Sequence, residues 1–150
     1  MIERFEGESG KRLLAEALAD QGIVNGNRKI AADLHEVALL RELDSGDGLI
    51  TQDAEDNDIF FIISGSLTIE ANGRPVATRC AGTHVGEMAL IDRKARRSAT
   101  VVAAEKTVVA RVSEPDFSRV ADDYPDLWRR IAVELCDRLR NRNRMIRRPN

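Results

Sequence analysis

The sequence predicts an α+β fold in which helices come first, an antiparallel β-roll follows, and two helices close the chain. Three observations predict it. Apolar residues near both ends recur at helical spacing. The middle holds short runs rich in β-branched residues, at spacings that favour a sandwich or barrel over a parallel sheet. Within that middle part, Asn72-Gly73 is a strong hairpin signal, because both residues tolerate positive φ.

At 150 residues and 43% apolar content, the chain can build one domain with its own core. The longest strongly apolar run, Ile59 to Ile63, is far too short to cross a membrane. No basic region followed by an apolar stretch opens the chain, so a cytoplasmic protein is expected. Cys80 and Cys136 make no disulfide framework and are expected to be reduced. The net charge of −2 hides an asymmetry, since residues 129–150 carry +6 and the remainder −8. A basic end of this kind can touch nucleic acid or acidic lipid. Few aromatics accompany these arginines, and the preferred reading is a solvated helix face with neither partner.

Residues 1–34 read as a helical segment. Leu13, Leu14, Ala17 and Leu18 share a face, Gly22 ends the first helix, and Ile30, Ala31 and Leu34 mark a second. Gly7-Glu8-Ser9-Gly10-Lys11 lacks the glycine spacing of a phosphate loop and reads as a helix start. The roll spans 35–113, with strands at Leu49–Gln52, Ile59–Ser64, Ser66–Glu70, Pro75–Arg79, Ser98–Ala103 and Thr107–Val112. The acidic run Asp53–Asp58 lacks the glycine and final glutamate of a calcium loop and reads as an exposed turn. Residues 114–150 are helical: Ser113 and Asp116 form a capping-box-like start, and Pro125 opens a last helix over 125–146. Leu127, Ile131, Leu135 and Leu139 form its apolar stripe, long enough to cover the roll and leave a surface for dimerisation.

The stretch 85–101 carries the chemistry. Gly86 lets backbone approach a ligand closely. Glu87, Met88, Ala89 and Leu90 can start a short helix whose free N–H groups favour a phosphate. Arg97 adds a permanent charge with forked donors, Ser98 a hydroxyl, and Ala99 leaves room. Arg96 is the neighbouring candidate, but another arginine follows it, whereas the small Ser98 and Ala99 follow Arg97. Glu87 repels phosphate, yet it makes sense as the acceptor of a ribose hydroxyl. Phosphate and ribose hydroxyl on one small ligand mean a nucleotide.

Gly86-Glu87, Ala89-Leu90 and Arg97-Ser98-Ala99 resemble the phosphate-binding cassette of cyclic-nucleotide-binding domains, at the spacing of the bacterial catabolite-activator type. Gly65-Ser66-Leu67-Thr68-Ile69 is similar to that family's hairpin edge. The resemblance implies a jelly-roll-like double-stranded β-helix with the last helix as a lid. It also implies that Arg97 and Ser98 meet a cyclic phosphate and Glu87 the 2′-hydroxyl, with backbone around Gly86, Met88 and Ala89 completing the pocket. On the lid, Arg142-Asn143 stand where the catabolite activator has Thr-Ser. An arginine that only donates, beside an asparagine that donates and accepts, suits the carbonyls and N–H of uracil, although guanine also offers acceptors. Arg138 could serve the ligand or a partner subunit, and His84 reads as a packing or backbone-bonding residue.

Gly82-Thr83-His84-Val85 through the cassette, Ser113–Phe117, Leu127–Arg130 and Leu135–Asn143 resemble the sensor part of bacterial Pycsar TIR effector proteins. That resemblance implies a sensor of cyclic UMP or cyclic CMP in anti-phage defence. Ligand-driven association, as a homodimer or larger oligomer, would activate TIR-mediated NAD depletion. A cyclic AMP or cyclic GMP regulatory module of general second-messenger signalling is the alternative. The sequence ends at Arg147-Arg148-Pro149-Asn150, directly after the lid helix, so the effector is expected on a partner or in a longer protein. No catalytic residue, metal site or cofactor is expected beyond the nucleotide ligand. Only His35 and His84 are available as histidine ligands, and no nucleophile elbow or paired catalytic carboxylates stand out.

Overall fold

Two runs, Ile59–Ser64 and Thr107–Val112, fix the architecture, because each is apolar on both faces. Ile59, Phe61, Val108, Ala110 and Val112 turn toward the helices. Phe60, Ile62 and Val109 turn into the roll. This two-residue period sorts a continuous apolar run into two cores separated by one sheet.

The computed structural model describes residues 1–147, and side chains through Asn143; the C-terminal Arg148-Pro149-Asn150 read above lies outside the described residues. A short 3-10 turn at Ile2–Phe5 precedes helices α1 (Gly7–Ala19) and α2 (Arg28–Val37). The strands are β1 (Leu39–Leu43), β2 (Gly48–Ile50), β3 (Ile59–Ser64), β4 (Ser66–Ala71), β5 (Arg74–Cys80), β6 (His84–Val85), β7 (Thr100–Ala103) and β8 (Thr107–Val112). Between β6 and β7 lies the four-residue α3 (Met88–Ile91), and α4 (Glu114–Asp123) and α5 (Pro125–Arg147) end the chain. Two antiparallel four-stranded sheets result, ordered β1-β8-β3-β6 and β2-β7-β4-β5. The chain crosses repeatedly from one sheet to the other, which rolls them around a shared interior of Leu43, Ile50, Leu67, Val85, Val101 and Ala103.

Asn72 and Gly73 have φ of 53° and 78°, so the β4–β5 hairpin closes on a two-residue turn of the mirror-image kind that matches strand twist. β5 is the exposed edge of its sheet and carries Pro75, which an edge tolerates. Several strand ends differ from the sequence reading. β2 covers Gly48–Ile50 rather than Leu49–Gln52, because Gln52 is drawn out of the strand: its N–H donates to the Thr100 hydroxyl at 2.9 Å and its side chain to Asn72. β7 begins at Thr100 rather than Ser98, because the Arg97 backbone pairs with the 53–54 turn instead of a strand. The first helix stops at Ala19, before Gly22, since Ile23 and Val24 must turn inward to be buried.

The helices cover one sheet. Asn27 caps α2 by accepting from the N–H groups of Lys29 and Ile30, and Ser113 caps α4 by accepting from Asp116. Gln21 donates to the Ile62 carbonyl at 2.9 Å, and the Gly22 N–H donates to the Gly82 carbonyl at 3.0 Å. These bonds tie the N-terminal segment to the roll just before β6. On α5, Leu127 and Ile131 are fully buried, Leu135 is half-buried, and Leu139 is 60% exposed. The apolar stripe therefore anchors only the first half of the helix; Val133 and Cys136 are exposed off the stripe, and Leu139 is exposed beyond its anchored part. No helix among the described residues is long and apolar enough to cross a membrane.

Candidate functional site

The turn from β6 into α3 makes the site. Gly86 sits at φ +92°, and a Cβ there would lie 2.7 Å from the Asp58 carbonyl and 2.8 Å from Arg97 Nη1. Only glycine lets the arginine lie against this turn. Arg97 is 4% exposed. Its Nη1 donates to the Gly86 carbonyl at 3.1 Å, and its Nη2 to the Asp58 carbonyl at 2.7 Å. Nε and Nη2 also donate to one oxygen of Asp56, at 3.1 and 2.8 Å. The Arg97 backbone is pinned in both directions, its N–H to the Ala54 carbonyl and its carbonyl to the Asp53 N–H, each at 2.8 Å. A guanidinium has five N–H donors, and these bonds engage four. A phosphate at Arg97 would meet one free N–H, or three if it displaced the carboxylate of Asp56, whose side chain is half exposed.

Glu87, next to Gly86 in the chain, is also buried. Its Oε1 accepts from Arg138 Nη1, which reaches across from α5. Arg138 Nη2 donates to the His84 carbonyl at 3.1 Å and lies 3.4 Å from Glu134. His84 Nε2 stands 3.9 Å from Glu87 Oε2. Burial holds the His84 imidazole below the ordinary histidine range, with Glu87 opposing that shift and Arg138 adding to it. Burial, then the nearby Arg138 charge, likewise lowers Arg79, which approaches from β5.

The remaining residues singled out in the sequence take up graded positions. Ala89 is buried, Met88 is half exposed, and Leu90 joins the helix-side core. Ser98 is exposed and Ala99 half-buried at the rim. Arg96 lies at the surface, pairing with the exposed Glu55 at 3.2 Å. Gly86, Glu87 and Arg97 thus come together, with Ser98 next along the chain. Arg142 and Asn143 do not join them: both are exposed on α5, where Arg142 follows Arg138 by one helical turn. An open groove of about 490 Å³ lined by Leu90, Ile91, Asp92, Arg93, Lys94 and Trp128 runs beside the cassette, but neither Glu87 nor Arg97 lines it.

Sequence reasoning missed Asp56, read only as part of an exposed acidic turn, and left Arg138 without its Glu87 partner. The signal for Asp56 was available in principle, since a buried arginine needs a partner and the nearest acidic run in the roll is 53–58. No spacing rule could have shown Arg138 meeting Glu87, because the contact joins elements 51 residues apart.

Comparison with known proteins agrees with this fold. The model of the cyclic nucleotide-binding domain family matches residues 40–124. The Pycsar effector protein PaPycTIR of Pseudomonas aeruginosa is 47% identical over 146 residues, covering 97% of this chain and 47% of that protein. The Pycsar effector protein BcPycTIR of Burkholderia cepacia is also 47% identical over 146 residues, covering 97% and 48%. The chain thus spans about half the length of the curated relatives it matches. Among solved structures, the regulatory domain of Toxoplasma gondii PKA, co-crystallised with cAMP, shares the fold with a TM-score of 0.68 at 20% identity, over 77% of this chain and 46% of that one.

Proposed function

The chain belongs to the cyclic nucleotide-binding domain family and is homologous to Pycsar effector proteins, and from that premise we propose that it senses a cyclic pyrimidine nucleotide, cyclic UMP or cyclic CMP, in anti-phage defence. On this reading, a TIR effector, attached or on a partner, is switched on by ligand-driven association of sensors in the cytoplasm.

The observation that carries the reading is a buried guanidinium and a buried carboxylate held at one glycine turn: Arg97 donates to the Gly86 carbonyl, and Glu87 follows Gly86 in the chain. A cyclic phosphate is an anion with a ribose hydroxyl beside it. The phosphate takes Arg97 from Asp56, with Ser98 and the backbone of Met88 and Ala89 as further donors. The 2′-hydroxyl donates to Glu87. A carboxylate offers about four acceptor positions, so Arg138 and the hydroxyl can bind Glu87 together. The nucleotide then enters a network that already includes α5, and Arg142 and Asn143, one turn farther along, close over the base.

A thermal-shift panel tests the base preference. Cyclic UMP and cyclic CMP should raise the melting temperature at concentrations where cyclic AMP and cyclic GMP do not. A larger shift with cyclic AMP would return the chain to general second-messenger signalling.

A further inference from the structure

His84 is the one member of this cluster whose ring has no assigned work. It sits in the two-residue β6, paired in register with Phe61, and its ring meets the Phe61 ring edge-on with centroids 6.4 Å apart. It is 2% exposed, and its Nε2 is buried without a hydrogen-bond partner. Buried side-chain nitrogens nearly always have a partner, so an orphan asks for a reason. The atom facing it is Glu87 Oε2, at 3.9 Å. Glu87 is otherwise held through its other oxygen, by Arg138. A carboxylate fixed at one oxygen can still turn, since its terminal torsion is soft. An acceptor that turns gives a ligand hydroxyl no preferred direction.

We propose that His84 is a positioning residue for ribose recognition: its Nε2–H closes on Glu87 Oε2 when nucleotide binds and fixes the carboxylate in the orientation that accepts the 2′-hydroxyl. The inference rests on the cyclic-nucleotide reading above. The movement required is about 1 Å, from the present separation to an ordinary N–H···O distance. The backbone needs no change, because the His84 carbonyl is already braced by Arg138 Nη2. A neutral imidazole can supply the bond with one N–H, and burial favours that neutral form here. Glu87 then receives Arg138 at one oxygen and His84 at the other, with lone pairs left for the ligand.

Calorimetric titration of the whole chain with the ribose and 2′-deoxyribose forms of cyclic UMP tests this, with the same pair of cyclic CMP, AMP or GMP if one of those binds more tightly. The quantity read is the ratio of the two affinities. His84→Phe keeps the ring shape without the donor, and His84→Asn has an amide too short to reach. Both should cut the ribose preference by roughly tenfold, the worth of one hydrogen bond to a charged group. His84→Gln, whose amide nitrogen reaches about as far as Nε2, should retain it. A ratio unchanged in His84→Phe or His84→Asn, with both ligands weakened alike, would make His84 a packing residue and overturn the proposal while leaving the cyclic-nucleotide reading intact. A wild-type chain that binds none of the four nucleotides would overturn that reading and the proposal with it.

Discussion

At the scale of single residues, the proposed reading makes the site a set of charges whose present partners stand where a ligand's groups would go. Arg97 shows this most clearly. Removing it takes away the buried guanidinium and leaves a bound phosphate beside the Asp56 carboxylate, so Arg97→Ala should cost about 2–5 kcal/mol of binding. Asp56 competes for the same guanidinium. Its side chain is half exposed and its pair with Arg97 is partly screened, so the pair contributes about 0.2–1 kcal/mol. Asp56→Asn should therefore tighten nucleotide binding a few-fold in a calorimetric comparison; weaker binding would show that Asp56 aims Arg97 rather than competing for it. His84 adds a pH dependence to stability. Its pKa is lowered in the folded chain, so the unfolded chain binds the extra proton first, and stability falls as pH drops below the ordinary histidine value of about 6.5. Glu87 and Glu134 oppose this shift, while Arg138 and Arg79 reinforce it. Melting curves between pH 7 and pH 5 should show a shallower decline in His84→Gln than in wild type; equal slopes would contradict this assignment.

At the scale of elements, α5 has two unlike halves. Leu127 and Ile131 are fully buried, and Arg130 donates to the Ile23 and Val24 carbonyls at 3.3 and 3.4 Å. Beyond Leu135, among the described residues, Arg138 links the helix to the roll at Glu87 and His84. Ile131→Ala should destabilise the chain by about 2–5 kcal/mol, as buried large-to-small changes do. Leu139→Ala should change stability by about 0.5 kcal/mol or less. Denaturant unfolding of the two variants checks this, and similar losses would mean the second half of the helix is anchored as well. This division marks how much the sequence could show. The apolar period along Leu127–Leu139 shows a helix and its face, but not where along the helix the core ends, since that depends on the breadth of the sheet beneath. The Ile59–Ser64 and Thr107–Val112 strands were legible because their β-branched and aromatic runs are long. Gly48–Ile50 and the start of β7 were not, because side-chain bonds from Gln52 and backbone bonds from Arg97 decide those ends.

At the scale of the whole molecule, the cassette joins the two cores. Leu90 enters the helix-side core, while Val85 lines the roll interior. Arg93 pairs with Glu114 of α4 at 2.8 Å, and Arg138 binds Glu87 from α5. A ligand at Gly86 therefore touches a segment fastened to the roll and to both C-terminal helices, which is the arrangement a sensor needs to move a helix. The contact of Arg97 with Gly86 was legible because the pattern from Gly86 to Ala99 is local. Asp56 and Arg138 were not, because each meets the cassette only through folding. Ligand at a hundredfold excess over Kd should stabilise the chain by about 2.7 kcal/mol, and hydrogen exchange should slow in α5 beyond Glu134 as well as in the cassette. Protection confined to the cassette would contradict coupling to the helix. The most direct measurement is calorimetric titration of wild type and Arg97→Ala with cyclic UMP. Saturable binding that Arg97→Ala weakens by at least about thirtyfold is the expected result. Equal affinity in the two proteins would contradict the assignment of this site.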